Sequence, residues 1–301
     1  MKGTGRLLLL LFVGLGPSNA NAFFRKPAMA QQPAKKHGSF SEQLSAKSRS
    51  APIENVLSVR GGALLPVEPT AKVFAAMTVL VNLHLVFFPK ENGEFFSLPS
   101  TPYSDFKRRF IGYGGVAHAL AVGLLLFDKA SVPAAFAAGL LTMSVPGALS
   151  GDRYQQLAAA VTVAGIGLVS TFEDSSQLVK NFAMYGIASN FLFSYVRKLD
   201  ALFCSSSMKE QLEGKAPDED RLVTFYNRFV GHMNMGLFVF IYLVSGGMEI
   251  PKAFGYSAIP NLVNVSIQNF VTKDVKHFGV SESAQWLTLL FLISGVVIFT
   301  A

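Results

Sequence analysis

VPAAFAAGLLTMSVPGAL, residues Val132 to Leu149, holds no charged side chain. As an α-helix rising 1.5 Å per residue it is ~27 Å long, close to the ~30 Å hydrocarbon thickness of a bilayer. In lipid a backbone must satisfy its own hydrogen bonds, so a stretch of this length and polarity reads as a membrane-spanning helix. Seven more apolar windows surround it: Val73–Phe88, Phe110–Phe127, Gln155–Thr171, Val179–Val196, Leu222–Ser245, Ala253–Val271 and Ser283–Ala301. Those starting at Gln155 and Ser283 are also free of charge. Lys180 and Arg228 stand near helix ends, where a long stem reaches the interface. The window from Ala253 is the most polar, with Pro260, Asn261, Asn264, Gln268 and Asn269. The fold expected is all-α: a polytopic membrane helical bundle of about eight transmembrane helices.

Composition agrees. Half of the 301 residues are hydrophobic and 15% are charged, against roughly 25% in an ordinary soluble domain. The net charge of +7 is concentrated near the N-terminus and in loops, which does not describe a nucleic-acid groove. Cys204 is the one cysteine, so the chain can form no internal disulfide and no cysteine-based metal site.

Loop charges set an orientation. With eight spans, one side carries Lys90, Lys107, Arg108, Arg109, Arg153, Arg197, Lys198, Lys209, Lys215, Arg221, Arg228, Lys273 and Lys276. The other carries Lys129, Lys180 and Lys252. Thirteen against three is a strong positive-inside bias, and it puts the mature N-terminus on the opposite side.

The first part of the chain reads as an address. Lys2 and Arg6 precede an apolar core, Leu7 to Leu15, too short to span. Gly16-Pro17 breaks it, and Ala20-Asn21-Ala22 offers a small-x-small cleavage pattern. Residues 1–22 are thus a cleaved signal peptide. Residues 23–67 hold seven basic residues, two acids and six serines, a transit-like composition without a packed core. A signal followed by such a segment, with Phe23-Phe24 at the junction, resembles the bipartite presequence of nucleus-encoded secondary-plastid proteins of the diatom kind. The resemblance covers this segment only, and implies a plastid membrane, envelope or thylakoid. The alternative is an endoplasmic-reticulum or other endomembrane protein with a basic tail.

Two halves of the body resemble each other. Arg109-Phe110-Ile111-Gly112 recurs as Arg228-Phe229-Val230-Gly231, and Pro133-Ala134-Ala135-Phe136 as Pro251-Lys252-Ala253-Phe254. Gln155-Gln156-Leu157 with Gly165 matches Gln285-Trp286-Leu287 with Gly295, and Asn82 pairs with Asn190. Residues 68–175 and 176–301 are therefore read as two four-helix repeats. An even number of spans makes them parallel, related by an axis along the membrane normal.

Candidate residues follow from polarity at membrane depth. Ser257, Asn261, Asn264 and Gln268 recur at helical spacing and form one stripe; unpaired amides there are costly, so the stripe should face protein or water. It reads as a solute path or as inter-helix hydrogen bonding, with Asn82 and Asn190 as further path candidates. Pro260 would open the helix beside it. Arg109 and Arg228, equivalent in the repeats, can hold an anionic substrate or anchor headgroups. His84, His118 and His232 offer imidazole for a pigment, haem or proton relay, or serve as hydrogen-bonded structural residues. Gly112, Gly115, Ala119 and Gly123 allow close helix approach.

No H-E-x-x-H, G-x-S-x-G or Walker pattern occurs, and the apolar windows contain no Asp or Glu. No catalytic residue, resident cofactor or metal is assigned, and enzymatic activity is not expected. The partners expected are the lipid bilayer and a small-molecule solute, with no nucleic acid. The leading reading is small-solute transport or permeation in a plastid membrane. The alternative is a non-catalytic scaffold or pigment-associated subunit of a plastid membrane complex.

Overall fold

A computed structural model describes residues 66–149, 153–174, 176–196 and 219–300. The signal and transit-like segments and the connector after Val196 lie outside the described residues. All described residues fall in one unit, Ala63–Ala301, built from helices, with no strand among them.

The helices are α1 (Val67–Phe87), α2 (Pro89–Phe95), α3 (Pro102–Phe127), α4 (Val132–Leu149), α5 (Arg153–Val169), α6 (Gln177–Tyr195), α7 (Glu219–Ser245), α8 (Ile250–Ser257), α9 (Ile259–Ser266), α10 (Asp274–His277) and α11 (Glu282–Thr300); a π-helical turn, Ile267–Val271, follows α9. Local chemistry starts and stops them. Thr101 caps α3: its hydroxyl accepts from Ser104 N–H at 3.1 Å, and the Ser104 hydroxyl accepts from Thr101 N–H at 2.7 Å. Pro102 then occupies the first turn, where its missing N–H costs nothing. Ser176 caps α6 through Val179 N–H. Gly247, at φ 89°, turns the chain after α7 in a conformation that favours glycine.

Five helices are long and apolar enough to cross a membrane: α1, α3, α4, α7 from Arg221 onward, and α11. Three of the eight expected spans differ. The apolar part of α5 runs only from Gln156 to Val169, ~21 Å of helix. α6 has the length, but Lys180, Asn181, Ser189 and Asn190 lower its hydropathy. The expected helix Ala253–Val271 is divided at Ala258, between α8 and α9. Pro260 explains the break: it lacks an N–H, and its ring collides with the carbonyl one turn earlier.

α3 and α7 form the centre. About two-thirds of the residues in their spanning windows are buried, 67% and 61%, against 22% in α1 and in α11. α3 packs on α1, α4 and α7; α7 packs on α6, α8 and α9. Between them lies a core that includes Val122, Phe136, Leu237, Phe240 and Ile241. In lipid such a core is held by close packing, because acyl chains are as apolar as leucine.

Two crossings show how close the packing is. A Cβ placed on Gly112 of α3 would lie 2.7 Å from the Asn82 carbonyl oxygen of α1 and 2.8 Å from the Val86 side chain. One placed on Gly231 of α7 would lie 2.7 Å from the Asn190 carbonyl oxygen of α6 and would also strike Ser194. Only glycine lets these backbones approach so far.

Candidate functional site

A cavity of about 290 Å³ lies among α1, α3, α7, α8, α9 and α11. One end is aromatic. Phe74 of α1 stacks on Phe291 of α11, with ring centroids 5.6 Å apart, and meets Phe299 edge-on at 5.3 Å; Phe299 also packs on Phe254 of α8 at 5.6 Å. Toward the basic-side loops the wall becomes mixed, with Thr78, Asn82, Tyr226, Asn261 and Thr288 among apolar side chains.

Asn82 and Asn261 are the two expected path residues that this wall brings together. Both are more than nine-tenths buried. Asn82 Nδ2 donates to Thr78 O at 2.8 Å, while its Oδ1 has no protein donor. Asn82 fits because α3 carries Gly115 there; any Cβ would strike the amide. Asn261 Nδ2 reaches only the Met233 sulfur, at 3.7 Å, and its Oδ1 also lacks a donor. An unpaired buried acceptor costs about 1–3 kcal/mol, a cost the protein bears at both residues.

The rest of the stripe bonds within the protein, with Asn264 Nδ2 and Gln268 Oε1 left unpaired. The Ser257 hydroxyl donates to Phe254 O at 2.7 Å and lies 2.8 Å from His118 Nε2. Since that hydroxyl has one proton, the arrangement makes Nε2–H the donor to Ser257. Ser257 is fully buried and not part of the cavity wall, so the pair ties α3 to α8 and orients His118, which does line the cavity. Gln268 Nε2 donates to Asn264 Oδ1 at 2.9 Å and to Phe225 O at 3.3 Å, outside the wall. Asn190 lies on α6 and donates to Gly186 O, away from the cavity.

The two candidate arginines part company. Arg109 is exposed, and Arg228 reaches Asp274 Oδ2 at 3.5 Å while lying over the Tyr195 ring. Buried Asp274 also takes Arg221 Nε at 2.6 Å and the Thr272 hydroxyl. These groups pin α7 to the segment after the π-helical turn; they do not border the cavity.

The arginine on the cavity wall is Arg108, which residue spacing did not single out. Its guanidinium donates to Asp105 Oδ1 at 2.9 Å, Pro89 O at 3.1 Å and Pro99 O at 2.7 Å. It thereby holds both ends of the α2 segment, whose Asn92 and Phe96 also line the cavity. Gly93 lies against the guanidinium with no room for a side chain. Tyr226 stands on the other face, its ring 5.6 Å from the Arg108 carbon; its hydroxyl is near Arg108 and Ser104 without a well-formed hydrogen bond. Of two adjacent arginines on a helix, ~100° apart, only one faces inward, and which one is a tertiary fact.

His84 is exposed on α1 with its ring 5.5 Å from Phe88, and buried His232 bonds Arg228 O and Tyr195. Among the described residues no three metal-ligating side chains come together. Comparison with protein-family models, curated proteins and solved structures gives no match.

Proposed function

We propose that this chain is a multi-pass membrane protein that admits a small molecule to the interior of its helix bundle and conducts it across a plastid membrane. The observation that carries the reading is the cavity with Asn82 and Asn261 on its wall, each with a buried amide oxygen left unpaired. A volume of about 290 Å³ is at the lower edge of the ~300–1,000 Å³ typical of small-molecule sites.

The two-repeat arrangement belongs to the same proposal. The crossings of Gly112 on Asn82 and of Gly231 on Asn190 involve positions that match in the sequence repeat, and they support duplication. Parallel repeats with a site near their interface suit an alternating-access protein. The plastid destination rests on the resemblance of residues 1–67 to a bipartite presequence.

The test of the site is extraction and mass spectrometry of small molecules that copurify with the wild-type chain and with Asn261→Leu. A compound retained by the first and depleted in the second is expected; identical extracts would remove the reading. For the destination, a fluorescent fusion of residues 1 to 70 should reach the plastid, and retention in the endoplasmic reticulum would exclude it.

One observation favours the pigment-associated alternative. His84 presents its imidazole outward from a helix that is largely exposed, where a pigment metal can approach. A purified chain that carries visible absorbance, lost in His84→Ala, would support it over transport.

A further inference from the structure

The cavity also indicates what kind of molecule it takes, an inference that rests on the proposed small-molecule site. Charge comes first. No Asp or Glu lines the wall, so nothing there would neutralise a cation. Its one charged residue is Arg108, whose charge is matched by Asp105 at 2.9 Å and which donates to two carbonyls, with Nε alone left without an acceptor. An incoming anion would add a second negative charge beside a completed pair, in a site of low dielectric. A neutral molecule escapes both penalties.

Hydrogen bonding comes next. Four unpaired polar atoms belong to wall residues: the Asn82 and Asn261 amide oxygens accept, Arg108 Nε–H donates and the Tyr226 hydroxyl does either, so a hydroxyl, which both donates and accepts, suits them. Asn261 can turn toward one at little cost: its amide gives up only a 3.7 Å contact to sulfur, and the terminal torsion of asparagine is soft. The aromatic end, formed by Phe74, Phe254, Phe291 and Phe299, has His118 against Phe254, its Nε2 engaged by Ser257, and is otherwise apolar, which suits a hydrocarbon tail. Val81 lines the cavity from α1 and is 57% exposed, so the cavity is open on the side of a helix that faces outward. Volume limits the tail to a single chain.

We propose that the cavity between α1, α3, α7 and α11 binds a neutral, single-chain amphiphile whose hydroxyl or N–H donates to Asn261 while its chain lies among the phenylalanines of the aromatic end. A long-chain alcohol is the simplest member of this class.

The experiment uses the full chain in phosphatidylcholine vesicles. Three photoprobes share a diazirine near the terminal methyl: dodecanol, dodecanoate and dodecane. Dodecanol is expected to label residues of the aromatic end and to be displaced by unlabelled dodecanol, with Asn261→Leu reducing labelling roughly two- to ten-fold, the worth of one hydrogen bond. Equal or stronger labelling by dodecanoate, or labelling by dodecane as strong as by dodecanol, would overturn the proposal and leave the small-molecule site standing. Labelling of the wall by none of the three would overturn both. The comparison of probes on the wild-type chain needs no variant to fold.

Discussion

Gly112 of α3 rests on the backbone carbonyl of Asn82 in α1, so closely that a single added carbon would come within 2.7 Å of that oxygen. Gly231 meets Asn190 in the same way between α7 and α6. Neither carbonyl can retreat without moving a helix. Gly112→Ala and Gly231→Ala should each lower stability by about 1–3 kcal/mol despite the better helix propensity of alanine. Gly167, with nothing within 4 Å of an added Cβ, is the control: Gly167→Ala should leave the melting temperature unchanged or raise it. Thermal unfolding in one detergent compares all three, and equal behaviour would mean that the crossings are looser than described.

Arg108 and Arg109 should differ sharply although they are neighbours. Arg108→Ala removes a buried cation that joins Asp105 to the carbonyls of Pro89 and Pro99. The expected loss is about 3 kcal/mol, with faster tryptic cleavage at Lys90 as the α2 segment loosens. Exposed Arg109→Ala should change stability by no more than about 0.5 kcal/mol. Similar proteolysis of the two variants would contradict the placement of Arg108.

Asp274 holds two arginines of α7 at the basic end. Asp274→Asn should cost about 1.5–3 kcal/mol, the range for hydrogen bonds to charged groups. Arg221 is 38% exposed, so solvent screens part of its share, and the gap between wild type and variant should narrow as salt rises. Melting curves at low and high ionic strength test this; a gap that widens with salt would rule out the ion pairs as its cause.

Orientation can be read with single cysteines. In a Cys204→Ser background, cysteines replacing Lys90 and Lys276 should react with a membrane-impermeant maleimide from one side, and those replacing Lys129 and Lys252 from the other. This pattern requires the divided α8–α9 stretch to complete a crossing, and α5 and α6 either both to cross or neither. Labelling of Lys129 and Lys252 positions from opposite sides would reduce the number of crossings below eight.

Much of the architecture can be read from residue types and their order. Helices near-coincident with the expected windows form wherever apolar residues run long enough, because a backbone in lipid has no partner but itself; Val132–Leu149 has the same bounds in both descriptions. The interruption near Pro260 was also foreseeable, since a missing N–H is a local property. Which side chains meet was another matter. Periodicity places Ser257, Asn261, Asn264 and Gln268 on one face, but only the approach of α3, α7 and α11 separates the amide that lines a cavity from those that bond each other. The choice between Arg108 and Arg109 was undecidable for the same reason. Hydrocarbon length and backbone satisfaction are conditions each segment meets alone; a cavity is the space left between segments, and it exists only once they have packed.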